Sequence, residues 1–171
     1  MGSRSHPDLP NYAYFVTTAC RYRRRVFSNV KAARLVVDIL NKIRDEESAR
    51  LLSYVVMPDH AHLLIVPGRH GLGHFMKLWK GRFARSWNME TARSGSMWQE
   101  RYYESVMRGD EQIERCIQYI DANPVKAGLC TRPEGYPWSS AGSGASDLAA
   151  YLAGDVSRTE VRPSESSGMA R

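Results

Sequence analysis

Leu51-Leu-Ser-Tyr-Val-Val-Met-Pro-Asp-His-Ala-His-Leu-Leu-Ile-Val66 decides the architecture. It holds two apolar runs of strand length, Leu51 to Val56 and Leu63 to Val66, broken by Met57-Pro58-Asp59, the punctuation of a tight turn. The runs read as neighbouring strands of one sheet. Successive strand side chains alternate between faces, so His60 and His62 project from one side and Ala61 and Leu63 from the other. Two imidazoles so placed are spaced to share one metal ion, and equally to face solvent or satisfy each other's surroundings by hydrogen bonds.

Outward from this pair the pattern changes period. Tyr12 to Ala19 is rich in aromatic and β-branched residues and predicts a strand. Ser28 or Asn29 can cap a helix in which Ala32, Leu35, Val36, Ile39, Leu40 and Ile43 recur at helical spacing. Downstream, Gly73 to Asn88 places Phe75, Met76, Trp79, Phe83 and Trp87 on one helical arc, with Lys77, Lys80 and Arg85 on the other side and Arg82 at the margin. Arg101 to Met107 predicts a fourth strand. Asp110 then caps a helix with Ile113, Cys116, Ile117 and Ile120 as core positions, which Pro124 ends. Strand, helix, strand, strand, helix, strand, helix fits an α+β sandwich, an antiparallel sheet with helices on one face, of which the ferredoxin-like split βαβ arrangement is the simplest member. The domain is expected over residues 1–141, followed by a Gly/Ser-rich flexible tail over 142–171.

A chain of 171 residues with 43% hydrophobic and 25% charged side chains can close one core unaided, which excludes fibrous and wholly disordered classes. No apolar run reaches the roughly 18 residues of a membrane span, and the start lacks a secretory leader, so a cytoplasmic, nucleoid-associated protein is expected. Cys20, Cys116 and Cys130 lie far apart with no CxxC pair, the pattern of reduced thiols. The net charge of +6 is unevenly spread, with four arginines between Arg21 and Arg25, and six Lys/Arg against Glu90 alone between Arg69 and Arg93. Clustered basic charge suits a polyanion partner and also a solvated face.

Two further constellations bear on chemistry. His70 and His74 have the i, i+4 spacing of a helical metal pair, but Gly71 and Gly73 argue for a loop there. Taken with His60 and His62 they frame an alternative, a histidine-zinc hydrolase. On the last helix Tyr119 lies on the flank of the core arc with Asn123 one turn on, so both look out from the same side. A packed aromatic and a helix-ending residue before proline account for this spacing as well.

Taken together, Val56-Met57-Pro58-Asp59-His60-Ala61-His62-Leu63-Leu64, Leu78-x-Lys80-Gly81-x-Phe83, Trp98-Gln99-x-Arg101-Tyr102, Tyr119-Ile120-x-x-Asn123-Pro124-Val125-Lys126-Ala127-Gly128-Leu129 and Pro137-Trp138-Ser139-Ser140 resemble the REP-associated tyrosine transposases. These are relatives of the IS200/IS605 single-strand transposases within the HUH nuclease superfamily, and the resemblance covers about residues 10–141. It implies a divalent ion, Mg²⁺ or Mn²⁺, held by His60, His62 and Asn123, and attack by Tyr119 on a scissile phosphate to leave a 5′-phosphotyrosine and a free 3′-hydroxyl. Asp59 and Glu104 are the candidate bases for the phenol. The implied substrate is single-stranded DNA carrying palindromic REP hairpins, acted on by a monomer, with a dimer like that of the related insertion-sequence transposases as the alternative. Phosphate contacts are expected at Arg21, Arg23, Arg24, Arg25, Lys77, Lys80, Arg82, Arg85 and Arg101, and base stacking at Tyr22. The same fold without cleavage, a non-catalytic hairpin-binding module for DNA or RNA, is the other alternative.

Overall fold

A computed structural model describes residues 11–154. Its main elements follow one another as β1 (Tyr14–Ala19), α1 (Val30–Glu47), β2 (Arg50–Met57), β3 (His60–Val66), α2 (Gly71–Glu90), β4 (Tyr103–Val106) and α3 (Asp110–Lys126), with short helices α4 (Ser140–Ser143) and α5 (Leu148–Leu152) after them. The sheet order is β2-β3-β1-β4, and every neighbouring pair is antiparallel. β3 inserted between β1 and β2 is the split βαβ arrangement.

Strand alternation divides the core. Val16, Ala61, Leu63 and Ile65 face α1 and α2, where Val36, Leu40, Phe75, Trp79 and Phe83 close the main cluster. Leu52, Val55, Leu64 and Val66 face the other way, and Ile113 and Ile120 of α3 cover them. Helices thus occupy both faces, α1 and α2 on one and α3 on the other. The short apolar arc of α3 gave no sign of this, because periodicity shows which side of a helix is buried but not which sheet face it meets.

Three local readings are corrected. α2 begins at Gly71, not Gly73, with His70 outside it as the capping residue and Gly71 still at φ +79°, so His70 keeps the expected non-helical backbone while His74 is helical. Glycine disfavours a helix by about 1 kcal/mol per residue, which burial of Leu72, Phe75 and Met76 in the first turns outweighs. α3 is capped by Gly109, with Asp110 already inside. Pro124 does not end it: near the helix end a proline removes a single hydrogen bond, its ring is buried, and the helix runs on to Lys126, stopped by Gly128 at φ +69°.

The expected tail begins as ordered structure. Val56 N–H donates to Trp138 O (2.8 Å), the Tyr136 hydroxyl donates to Val56 O (2.9 Å), and Leu51 N–H donates to the Asp147 carboxylate (2.8 Å). Residues 136–154 therefore strap the free edge of β2 and shield it from pairing with another chain. Residues 155–171 lie outside those described, and no helix among the described residues is long and apolar enough to cross a membrane.

Candidate active site

β1, β3 and α3 bring four rings together. His60 and His62 lie side by side on the α3 face of β3, with ring centroids 4.9 Å apart. Tyr119, half exposed on α3, stands edge-on to His62 at 5.3 Å. Phe15 of β1 backs both, stacked on His62 at 5.4 Å and edge-on to Tyr119 at 5.8 Å. The phenol is thereby fixed by contacts on its ring while its side remains open to solvent.

Both imidazoles are oriented through Nδ1. His60 Nδ1 lies 2.6 Å from Asp59 Oδ1, and the other oxygen of Asp59 accepts from Arg23 Nε at 3.0 Å. His62 Nδ1 lies 2.8 Å from Thr17 Oγ1, its antiparallel partner on β1. With Nδ1 engaged on each ring, Nε2 is the remaining donor atom on both, the arrangement by which outer partners set a ligating histidine. Burial, then the neighbouring His60 and Arg23, push the His62 pKa down to about 4, so its ring is neutral at physiological pH.

Because α3 continues through Pro124, Asn123 keeps its place one turn beyond Tyr119. Its Nδ2 donates to Tyr119 O at 2.7 Å, which fixes the amide and leaves Oδ1 as its acceptor. Asp59 is engaged by His60 and Arg23, and Glu104 pairs with Val16, whose side chain lies in the α1/α2 core, so Glu104 sits on the sheet face away from Tyr119. Glu104 is thereby removed as a base for the phenol, and Asp59 already holds two partners.

The basic residues fall into two groups. Arg21 to Arg25 wrap the β2–β3 turn, tied by Cys20 N–H to Asp59 O (2.8 Å) and Phe27 N–H to Pro58 O (2.9 Å), which sets the run directly beside His60. Tyr22 is 77% exposed, with the Arg21 guanidinium 5.0 Å from its ring centroid. Arg24 and Arg25 continue into a cleft of about 590 Å³ that Asn88 and Arg93 help to line. Gln99 N–H donates to Ala19 O, so exposed Arg101 also belongs to this end of the sheet. On α2, by contrast, Lys80 donates to Gln99 O (2.9 Å) with its pKa lowered by burial, and Arg82 is paired with Glu46 of α1. Lys77 and Arg85 remain exposed.

His70 and His74 do not join His60 and His62. β3 separates the pairs by six steps of about 3.3 Å, roughly 20 Å. A four-histidine zinc hydrolase is therefore not built. Among the described residues, one group of three His, Cys, Asp or Glu side chains has ligand atoms within 4.8 Å of one another, Glu47 with His70 and His74.

The family described as "Transposase IS200 like" matches residues 9–123, a span that takes in His60, His62, Tyr119 and Asn123. The chain belongs to this family of DNA nicking and joining enzymes. Among IS200-like relatives, it is 28% identical over 150 residues to a Haemophilus influenzae protein provisionally named a REP-associated tyrosine transposase, covering 77% of this chain and 85% of that one. It is 25% identical over 131 residues to the REP-associated tyrosine transposase of Escherichia coli K12, covering 74% of each. The fold matches the solved structure of a REP-associated tyrosine transposase bound to a REP hairpin, with a TM-score of 0.72 at 20% identity over 87% of this chain and 86% of that one.

Phe15 and Thr17 are the neighbours of the IS200-like site that sequence reasoning did not single out. Thr17 alternates with Val16 and Thr18 in a strand whose partner was unknown, so only the β1–β3 register reveals it as the residue that holds His62.

Proposed function

We propose that this chain is a metal-dependent endonuclease and strand transferase acting on single-stranded DNA with REP-like hairpins, with Tyr119 as nucleophile. The observation that carries the reading is the meeting of His60, His62 and Tyr119 across β3 and α3, with both imidazoles turned by Asp59 and Thr17. The names of the relatives, and the hairpin held by the structural neighbour, support the substrate.

The Nε2 atoms of His60 and His62 and the Asn123 amide oxygen would hold the ion, a neutral donor set that suits Mn²⁺ somewhat better than Mg²⁺. A divalent ion held by them would polarise the scissile phosphate and offset its developing charge. The chain's own residues do the rest. Phe15 and His62 hold the phenol in place, and Tyr119 Oη bonds to phosphorus as the 3′-oxygen departs and takes up a proton. The products are a 5′-phosphotyrosine and a free 3′-hydroxyl, and because the phosphoester is conserved, that hydroxyl or another strand's can reverse the step. Arg21, Arg23, Arg24, Arg25 and Arg101 border the site and take the strand's phosphates, Tyr22 offers a stacking face, and Lys77 and Arg85 extend the basic surface. Lys80 and Arg82 serve chiefly to fasten α2 to its neighbours. The chain acts as a monomer.

The test is the chemistry of the cut ends. Labelled single-stranded DNA with a REP hairpin, incubated with the protein and Mn²⁺, should yield one fragment whose 3′-hydroxyl a polymerase extends and another that stays attached to protein. Two free fragments, one ending in a 5′-phosphate, would show attack by water instead, and tight hairpin binding without any cut would mark a binding module.

A further inference from the structure

We propose a second, separate metal site at the opposite end of β3, in which Glu47, His70 and His74 bind one Zn²⁺ ion and clip the C-terminus of α1 to the first turn of α2. The site does not depend on the transposase reading. Its three ligand atoms already lie within 4.8 Å of one another: His70 Nδ1 is 2.8 Å from Glu47 Oε2, His74 Nε2 is 3.6 Å from Glu47 Oε1, and the two rings are 4.9 Å apart. Two imidazoles and one carboxylate with a fourth position left to water are a zinc donor set, and the two histidines flank the start of α2, His70 as its capping residue and His74 in its first turn.

The backbone around the cluster is held so that the ligands need little ordering. A Cβ on Gly68 would lie 1.8 Å from Glu47 O, so only glycine lets the β3–α2 loop pass this close to the end of α1. Arg69 N–H donates to that same carbonyl (3.2 Å), and the Arg69 guanidinium donates to Ser48 Oγ (3.3 Å). Ser48 itself closes α1 in the left-handed conformation, with its N–H capping the helix. The Glu47 side chain is only 12% exposed, whereas His70 and His74 are 62% and 42% exposed, so an ion reaches the site from solvent and meets a carboxylate set beneath it.

The test uses the full chain, stripped of metal by chelator and carrying His60→Ala and His62→Ala so that the other candidate site is removed. Equilibrium dialysis against Zn²⁺ alone should show one bound equivalent and a raised thermal midpoint. Adding His74→Ala or Glu47→Gln should each weaken that binding by more than about tenfold. An unchanged metal-free thermal midpoint would establish that the variants fold. No bound zinc in the His60→Ala/His62→Ala chain, or an equivalent that survives both added substitutions, would overturn the proposal.

Discussion

At the scale of single residues, the site rests on side chains that never touch substrate. Asp59 links Arg23 to His60, and Thr17 turns His62, so each is a positioning residue for an imidazole. Removing such a partner typically weakens metal affinity or activity by about 10- to 100-fold. Asp59→Ala should therefore raise the Mn²⁺ concentration needed for half-maximal cleavage by about that factor while leaving much of the rate at saturating Mn²⁺; an unchanged metal requirement would remove Asp59 from this role. Much of this scale was readable in the sequence, because His60 and His62 share a face by strand period and Tyr119 and Asn123 share one by helical period. Thr17 and Phe15 were not, since their relation to His62 crosses 45 and 47 residues of chain and exists only in the sheet register.

At the scale of elements, the strap over β2 carries the clearest stability predictions. Gly142, inside α4, packs against Tyr136, and a Cβ there would stand 1.9 Å from Tyr136 O, a backbone atom with no freedom to turn aside. Gly142→Ala should destabilise the fold by about 1–3 kcal/mol, read as a lowered urea midpoint at constant slope. An unaffected midpoint would mean that the strap adds nothing to stability. Burial pushes the Tyr136 hydroxyl up to about 12, with Cys130 contributing, so the folded state keeps a proton that the unfolded chain gives up near pH 10. Stability from this group is complete below pH 10 and falls as pH rises from there to about 12. In Tyr136→Phe, less stable throughout for want of the bond to Val56 O, the alkaline decline should be shallower than in the parent chain. The sequence marked Pro137-Trp138-Ser139-Ser140 only as a matching motif; its physical work, covering an edge strand, becomes visible once β2 is known to be that edge. In the same way Pro124 misled as an isolated signal, because its position near a helix end disarmed it.

At the scale of the whole molecule, the sheet separates two jobs. One face packs α1 and α2 into the main core, and the other carries the His60, His62 and Tyr119 cluster under α3, with the arginine run folded around the same end. Hairpin DNA held by that run should bind more weakly as salt rises. Arg21→Ala, Arg24→Ala and Arg25→Ala together should lower affinity for all sequences alike and flatten the salt slope by about one for each phosphate no longer neutralised. An unchanged slope would place the strand elsewhere. Element order and sheet pattern were readable because each element has its own period; the side of the sheet that α3 takes was not, since it depends on a connection that periodicity does not describe. The most direct measurement of the central claim is a denaturing gel of protein mixed with Mn²⁺ and labelled hairpin-bearing single-stranded DNA, comparing the parent chain with Tyr119→Phe and His62→Ala. A retarded covalent band absent from both variants is the predicted result. A band, or cleavage, that persists in Tyr119→Phe would contradict the account.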